Sequence, residues 1–153
     1  VVALCNVLSS YMNLCTGGAE EFEEICSRFL AVAQAFQLEK LHPGIMLPGY
    51  LMIAQGWAVR KEWEKTLEFL EKYTELAIGD IYPLQLHGDS FFHKLDSWLE
   101  ESLPLGVQPP RNVSLIRRSM TQALTASPAF QEISEEFRFG KLVSRLKKNE
   151  EEQ

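Results

Sequence analysis

The sequence predicts an all-α fold, a bundle of about seven or eight short antiparallel helices. Three observations predict it. Apolar residues recur at i, i+3, i+4 and i+7 through most of the chain, which places them on one side of a helix. Proline and glycine punctuate that pattern at Thr16-Gly17-Gly18, His42-Pro43-Gly44, Gly79-Asp80, Pro83, Leu103-Pro104-Leu105-Gly106, Pro109-Pro110 and Ser127-Pro128. Alternating runs of Val, Ile and Thr, the mark of a half-buried strand, are absent. Ile45-Met46-Leu47 is the one short apolar run compatible with extended backbone, because prolines flank it.

Each element follows from its own spacing. Val1 to Cys15 carries Leu4, Val7, Leu8, Tyr11, Met12 and Leu14 on a broad apolar face. Glu20 to Leu41 continues the period with Phe22, Ile25, Phe29, Val32, Ala33 and Phe36, and its acidic first turn suits the positive end of a helix dipole. Pro48 to Val59 and Trp63 to Ile78 form a pair across the turn Arg60-Lys61-Glu62, with Gly79 expected to stop the second helix at positive φ. Asp89 is the expected N-cap of a helix to Glu101 that aligns Phe92, Leu95 and Leu99. Asn112 to Ala126 brings Leu115, Ile116, Met120, Ala123 and Leu124 together. Ser127-Pro128, a cap residue before an N1 proline, opens two short helices near 128–136 and 139–148.

The chain has 153 residues, which suits one domain over 1–153 able to bury roughly two thirds of its unfolded surface. Hydrophobic residues at 46% and charged residues at 24% are globular rather than disordered usage. Fifteen Lys and Arg against 21 Asp and Glu leave a net charge of -6, which argues against nucleic acid binding by this surface, since phosphates need a cationic face. No apolar run reaches the roughly 20 residues that span a bilayer, so no membrane partner is expected. Cys5, Cys15 and Cys26 are odd in number and form no C-x-x-C pair, the pattern of reduced thiols in a cytoplasmic protein.

Candidate chemistry is sparse. His87, Asp89 and His93 could form a proton-transfer pair or a metal cluster. The structural alternative, a left-handed Gly88 followed by Asp89 as a cap, is the stronger reading. His42, His87 and His93 form no H-E-x-x-H, so neither metal nor cofactor is expected. The carboxylate pairs Glu20-Glu21, Glu100-Glu101 and Glu135-Glu136 read as solvated helix faces. Arg117-Arg118 and the cations from Lys141 to Lys148 read as helix surfaces, the latter neutralised by Glu150-Glu151-Glu152. Nucleophile elbow, P-loop and dinucleotide fingerprints are all absent, and no enzymatic activity is expected.

The segment Tyr50 to Tyr73 resembles a tetratricopeptide unit. Aligning Trp63 with the aromatic that opens the second helix puts Tyr50, Ile53, Ala54 and Trp57 on the packing positions of the first. Thr66, Leu67, Leu70 and Tyr73 then take those of the second, with Thr66 and Tyr73 departing from the usual alanines. No second copy follows at a 34-residue period, so this is a lone unit. The mapping places Leu51, Gln55 and Ala58 on the inner face of a ligand or peptide groove.

A wider series runs from Trp63-Glu64-Lys65-Thr66-Leu67-Glu68-Phe69-Leu70-Glu71-Lys72-Tyr73 through Leu86-His87-Gly88-Asp89-Ser90-Phe91-Phe92 and Asp96-Ser97-Trp98-Leu99. It continues with Leu105-Gly106, Pro110-Arg111, Ile116, Ser119, Ser127-Pro128-Ala129-Phe130 and Phe139 to Lys147. In this order the elements resemble the C-terminal helical, tetratricopeptide-like half of bacterial Xre-type helix-turn-helix transcriptional regulators. The resemblance spans roughly Phe22 to Lys147. It implies a non-enzymatic regulatory domain that binds a peptide, a small-molecule effector or a protein partner, or that oligomerises as a homodimer. DNA contact would come only through an N-terminal DNA-binding domain that this chain, beginning Val1-Val2 without methionine, is expected to lack. A free-standing helical scaffold for protein-protein interaction is the alternative.

Overall fold

A computed structural model describes residues 1–15, 17–82, 84, 86–102 and 112–151. The breaks expected at 103–106, at 109–110 and at Pro83 lie outside the described residues, as do the family-like Leu105, Gly106, Pro110 and Arg111. The fold is all-α. Its elements are α1 Val2–Leu14, α2 Ala19–Ala35, α3 Leu38–Leu41, α4 Pro43–Val59, α5 Trp63–Ala77, α6 Leu95–Ser102, α7 Val113–Thr125 and α8 Phe137–Glu151, with a 3₁₀ helix Pro128–Ile133 before α8. No strand occurs among the described residues.

The α4–α5 hairpin is the centre of the molecule. Tyr50, Ile53, Ala54 and Trp57 of α4 and Thr66, Leu67, Leu70 and Tyr73 of α5 are all buried, so the face expected from their spacing is the face that packs. Helices α1 and α2 cover α4 from one side, while the 3₁₀ helix also rests on α4 and α8 packs on both α5 and α7. Phe22 and Phe29 of α2 reach the core by lying over glycines of α4. A Cβ at Gly49 would stand 2.5 Å from the Phe29 ring, and one at Gly56 would collide with the Phe22 ring.

The long helix expected from Glu20 to Leu41 is interrupted. Gln37 adopts a left-handed conformation, φ 47°, and α3 begins at Leu38. At 100° per residue, Leu38 on an unbroken helix would point about 180° away from Phe29. The break instead turns Leu38 and Leu41 into the core at 2% and 3% exposure.

Nor is the 45–47 stretch extended. Helix α4 starts at Pro43, where the missing N–H is harmless, and continues through Pro48. An interior proline costs about 3 kcal/mol. Burying Met46, Leu47 and Tyr50, at roughly 1.5–3 kcal/mol each for residues of that size, outweighs it.

Two glycine expectations are corrected. No described glycine has positive φ; at the end of α5, Ile78 is the αR cap and the Gly79 N–H donates to the Leu76 carbonyl at 3.1 Å. The helix expected from Asp89 begins only at Leu95. The Asp89 carboxylate accepts from the Phe91 and Phe92 N–H groups at 2.9 and 2.7 Å, closing a local turn instead of a regular first helical turn.

Candidate functional site

Helix α3 is a one-turn ledge beside α5, and a groove runs between them. Its wider end, a cleft of about 800 Å³, is lined by Glu39, Lys40, Pro43, Leu76, Asp80, Ile81, Tyr82, Leu86, His87, Asp96, Leu99 and Glu100. Its other end, about 440 Å³, has an apolar wall of Leu30, Ala33, Leu38, Met46, Tyr50 and Phe69 under a rim that includes Gln34, Gln37, Glu68 and Lys72. Glu39 lines both ends, and Glu39, Lys72, Glu75 and Leu76 line the stretch between them. Concave surface with an apolar floor and a few convergent polar groups is the usual form of a ligand site.

Ile81, Tyr82, Leu86 and His87 build the far wall. The His87 N–H donates to the Leu41 carbonyl at 3.0 Å, and the Tyr82 hydroxyl donates to Met120 Sδ at 3.6 Å. A Cβ at Gly44 would lie 2.8 Å from the Leu84 carbonyl oxygen, so a side chain there would push this wall outward. Asp96 fixes the start of α6 against this wall by accepting the Gly88 N–H at 2.7 Å.

Electrostatics differ along the groove. At the narrow end the Tyr50 hydroxyl donates to Glu39, joining floor to rim. Burial pushes the Tyr50 phenol well above its ordinary value of 10, and the hydrogen bond and charge of Glu39 push it the same way, so it stays protonated at neutral pH. Lys72 reaches Glu68 at 3.6 Å and stands 5.9 Å from the centre of the Phe69 ring. The wide end is more acidic, with Asp80, Asp96 and Glu100 joining Glu39 opposite Lys40. These groups suit holding a polar ligand with an apolar part. No serine, threonine or cysteine stands beside a base in the described lining.

The residues expected to line a groove, Leu51, Gln55 and Ala58, lie elsewhere on α4. Ala58 is buried at 4% exposure, and Leu51 is half-buried against the core. Gln55 is half-buried, and its side-chain amide donates to Ser127 Oγ at 3.5 Å, just before the 3₁₀ helix that packs on α4. Ser127 makes no side-chain cap bond. Among the described residues no group of three or more His, Cys, Asp or Glu is arranged to hold a metal ion.

Several titratable groups outside the groove hold the helices together or lie buried among them. Burial holds the Cys26 thiol up at about 12 and raises Cys5 as well, which keeps both protonated and unreactive. Arg60 donates to the carbonyls of Gly56, Cys15 and Gly17 at 3.0, 3.1 and 2.9 Å and lies 4.2 Å from the Phe22 ring centre. The α8 cations Arg138, Lys141 and Arg145 share a small cleft with Glu71, and Arg138 bonds Glu64 of α5 at 2.8 Å. Arg117 donates to the Asn149 carbonyl at 3.0 Å near the C-terminal end of α8, where the helix dipole favours a cation.

The groove residues Glu39 and Lys40 were hidden in the sequence because nothing at Phe36-Gln37 signals the break that sets α3 apart. Tyr50 was legible as a packing residue of the hairpin, and Phe69 only as a member of the family-like series. No helix among the described residues is long and apolar enough to cross a membrane. Comparisons of the chain with protein-family models, with curated proteins and with solved structures return no match.

Proposed function

We propose that this chain is a non-enzymatic regulatory domain of a bacterial transcriptional regulator, binding a peptide or small-molecule effector in the α3–α5 groove. The observation that carries this reading is the groove itself, with its buried floor of Leu38, Met46 and Phe69 and its rim bearing both charge signs. The resemblance of the motif series to Xre-type regulators supplies the regulatory part. On that resemblance DNA contact belongs to a separate helix-turn-helix domain, and the acidic balance of this chain agrees with such a division of labour. The protein is taken to act in the cytoplasm, in keeping with the reduced thiols.

The test is an amide NMR titration with a panel of short peptides of mixed sequence. Binding should perturb Glu39, Lys40, Tyr50, Phe69 and Lys72 together. Lys72→Glu, at an exposed position, should weaken that binding about tenfold while leaving stability within about 0.5 kcal/mol. Perturbations centred on Leu51, Gln55 and Ala58 would move the site to the first helix of the hairpin. A free-standing scaffold would show no small-ligand response at either place.

A further inference from the structure

Helix α1 shows an apolar stripe that the fold leaves uncovered. Its inner side packs through Cys5 and Met12, both buried. About a third of a turn around the helix, Leu4, Val7, Tyr11 and Leu14 remain 48%, 64%, 51% and 74% exposed. Their spacing of three, four and three residues forms a straight seam, the spacing by which one helix packs on another.

We propose that this seam is the surface on which a second copy of the chain docks, with the two α1 helices antiparallel about a two-fold axis. Charge favours a second copy here over other faces. The chain carries a net charge of -6, yet Val2–Leu14 holds no Asp, Glu, Lys, Arg or His, so two copies approach through α1 without like-charged side chains meeting. Symmetry favours it too, because an isologous contact requires one patch to complement itself. The three-four-three spacing reads the same in both directions. An axis level with residue 9 therefore seats Leu4 on Leu14 of the other copy and Val7 on Tyr11. Area is the third argument. The exposed parts of these four side chains amount to roughly 500 Å² per chain, so about 1,000 Å² in a pair, which is below the roughly 1,200 Å² at which stable interfaces begin and suits a weak, concentration-dependent dimer. This inference does not rest on the groove, which lies on other helices.

Sedimentation velocity of the chain in reductant, from about 1 µM to about 1 mM, tests it over the range in which an interface of this size associates. Reductant keeps Cys5 and Cys15 from linking copies. The mass should rise from monomer toward dimer across that range. Val7→Glu, at an exposed site that leaves the helical circular dichroism unchanged, should weaken the dimer at least about tenfold by burying an unpaired charge. Val7→Lys combined with Tyr11→Glu should restore association, since antiparallel seating pairs each lysine with the opposite glutamate. A monomer at every concentration, or a dimer indifferent to Val7→Glu, overturns the proposal, the second result pointing to another face. Failure of the double variant to associate overturns the antiparallel seating.

Discussion

A methyl group added at Gly56 would meet the ring of Phe22, and that ring has nowhere to go. Phe22 is 1% exposed, stands edge-on to Trp57 with ring centres 5.1 Å apart, and lies beneath the Arg60 guanidinium. Two effects therefore compete in Gly56→Ala. Alanine is worth about 1 kcal/mol over glycine in a helix interior. Overpacking a filled core costs typically 1–3 kcal/mol, and the absence of a relaxation path puts this site at the upper end. The net expectation is a loss of about 1–2 kcal/mol, read as a fall of several degrees in melting temperature. Gly140→Ala is the matched control. A Cβ there meets nothing within 4 Å, so only propensity acts and stability should rise by up to about 1 kcal/mol. Equal signs for the two variants would mean that the Phe22 contact is not what keeps residue 56 a glycine. The sequence reading put Ala54, but no glycine of α4, on a packing position of the first helix. Gly56 escapes such a reading because only its partner ring, thirty-four residues earlier, reveals what it makes room for.

Among the elements, the caps decide where helices stop, and here they are made by unexpected residues. Lys61 ends α4 in the left-handed region at φ 60°, its N–H donating to Ala58 at 2.9 Å while Glu62 donates to Trp57 at 3.0 Å. Those two bonds are the Schellman pattern, usually built on glycine. A short polar turn was legible at 60–62, but the left-handed residue within it was not, since lysine carries no mark of that conformation. Gln37 repeats the lesson between α2 and α3. His42, the N-cap residue of α4, supplies no side-chain cap bond, and its Nδ1 is buried without a partner. Burial lowers the His42 pKa below 6.5, with the charge of His87 acting the same way against a backbone hydrogen bond that raises it. The unfolded chain therefore binds the proton more tightly than the folded one. The associated stability is present above about pH 6.5 and is lost as pH falls through the lower folded value. His42→Asn should supply a cap oxygen, raising stability by about 1 kcal/mol at pH 7.5. It should also flatten the decline in melting temperature between about pH 7 and pH 5, which thermal unfolding at stepped pH reads directly. An unchanged slope would assign that decline to other groups.

For the whole molecule, the distribution of burial sets an order of opening. Helices α2, α4 and α5 hold most of the buried aromatic and aliphatic side chains, whereas α6 buries none and is tied to the segment before it by Asp96 and Gly88. Local stability follows buried apolar contact, so amide exchange should not be uniform. The amides of α4 and α5 are expected to exchange only through global unfolding, and those of Leu95–Ser102 through local opening at least about 100-fold faster. Hydrogen exchange followed by mass spectrometry resolves the two, and equal protection would contradict this picture of α6. The same contrast explains how legible the site was. Helical period and Gly/Pro punctuation report on contacts within a segment, and they located α1, α5, α7 and α8 to within a few residues. The groove arises where a ledge created by a left-handed glutamine meets a helix thirty residues away and a wall held by long-range hydrogen bonds. A well-buried floor on α4 and α5 beside a wall that includes α6, which buries no residue, has a direct consequence for the proposed function. An effector bound at the wide end should slow exchange in α6 at early times by suppressing its local opening, while α4 and α5 slow only on the timescale of global unfolding, by the factor with which binding stabilises the whole fold.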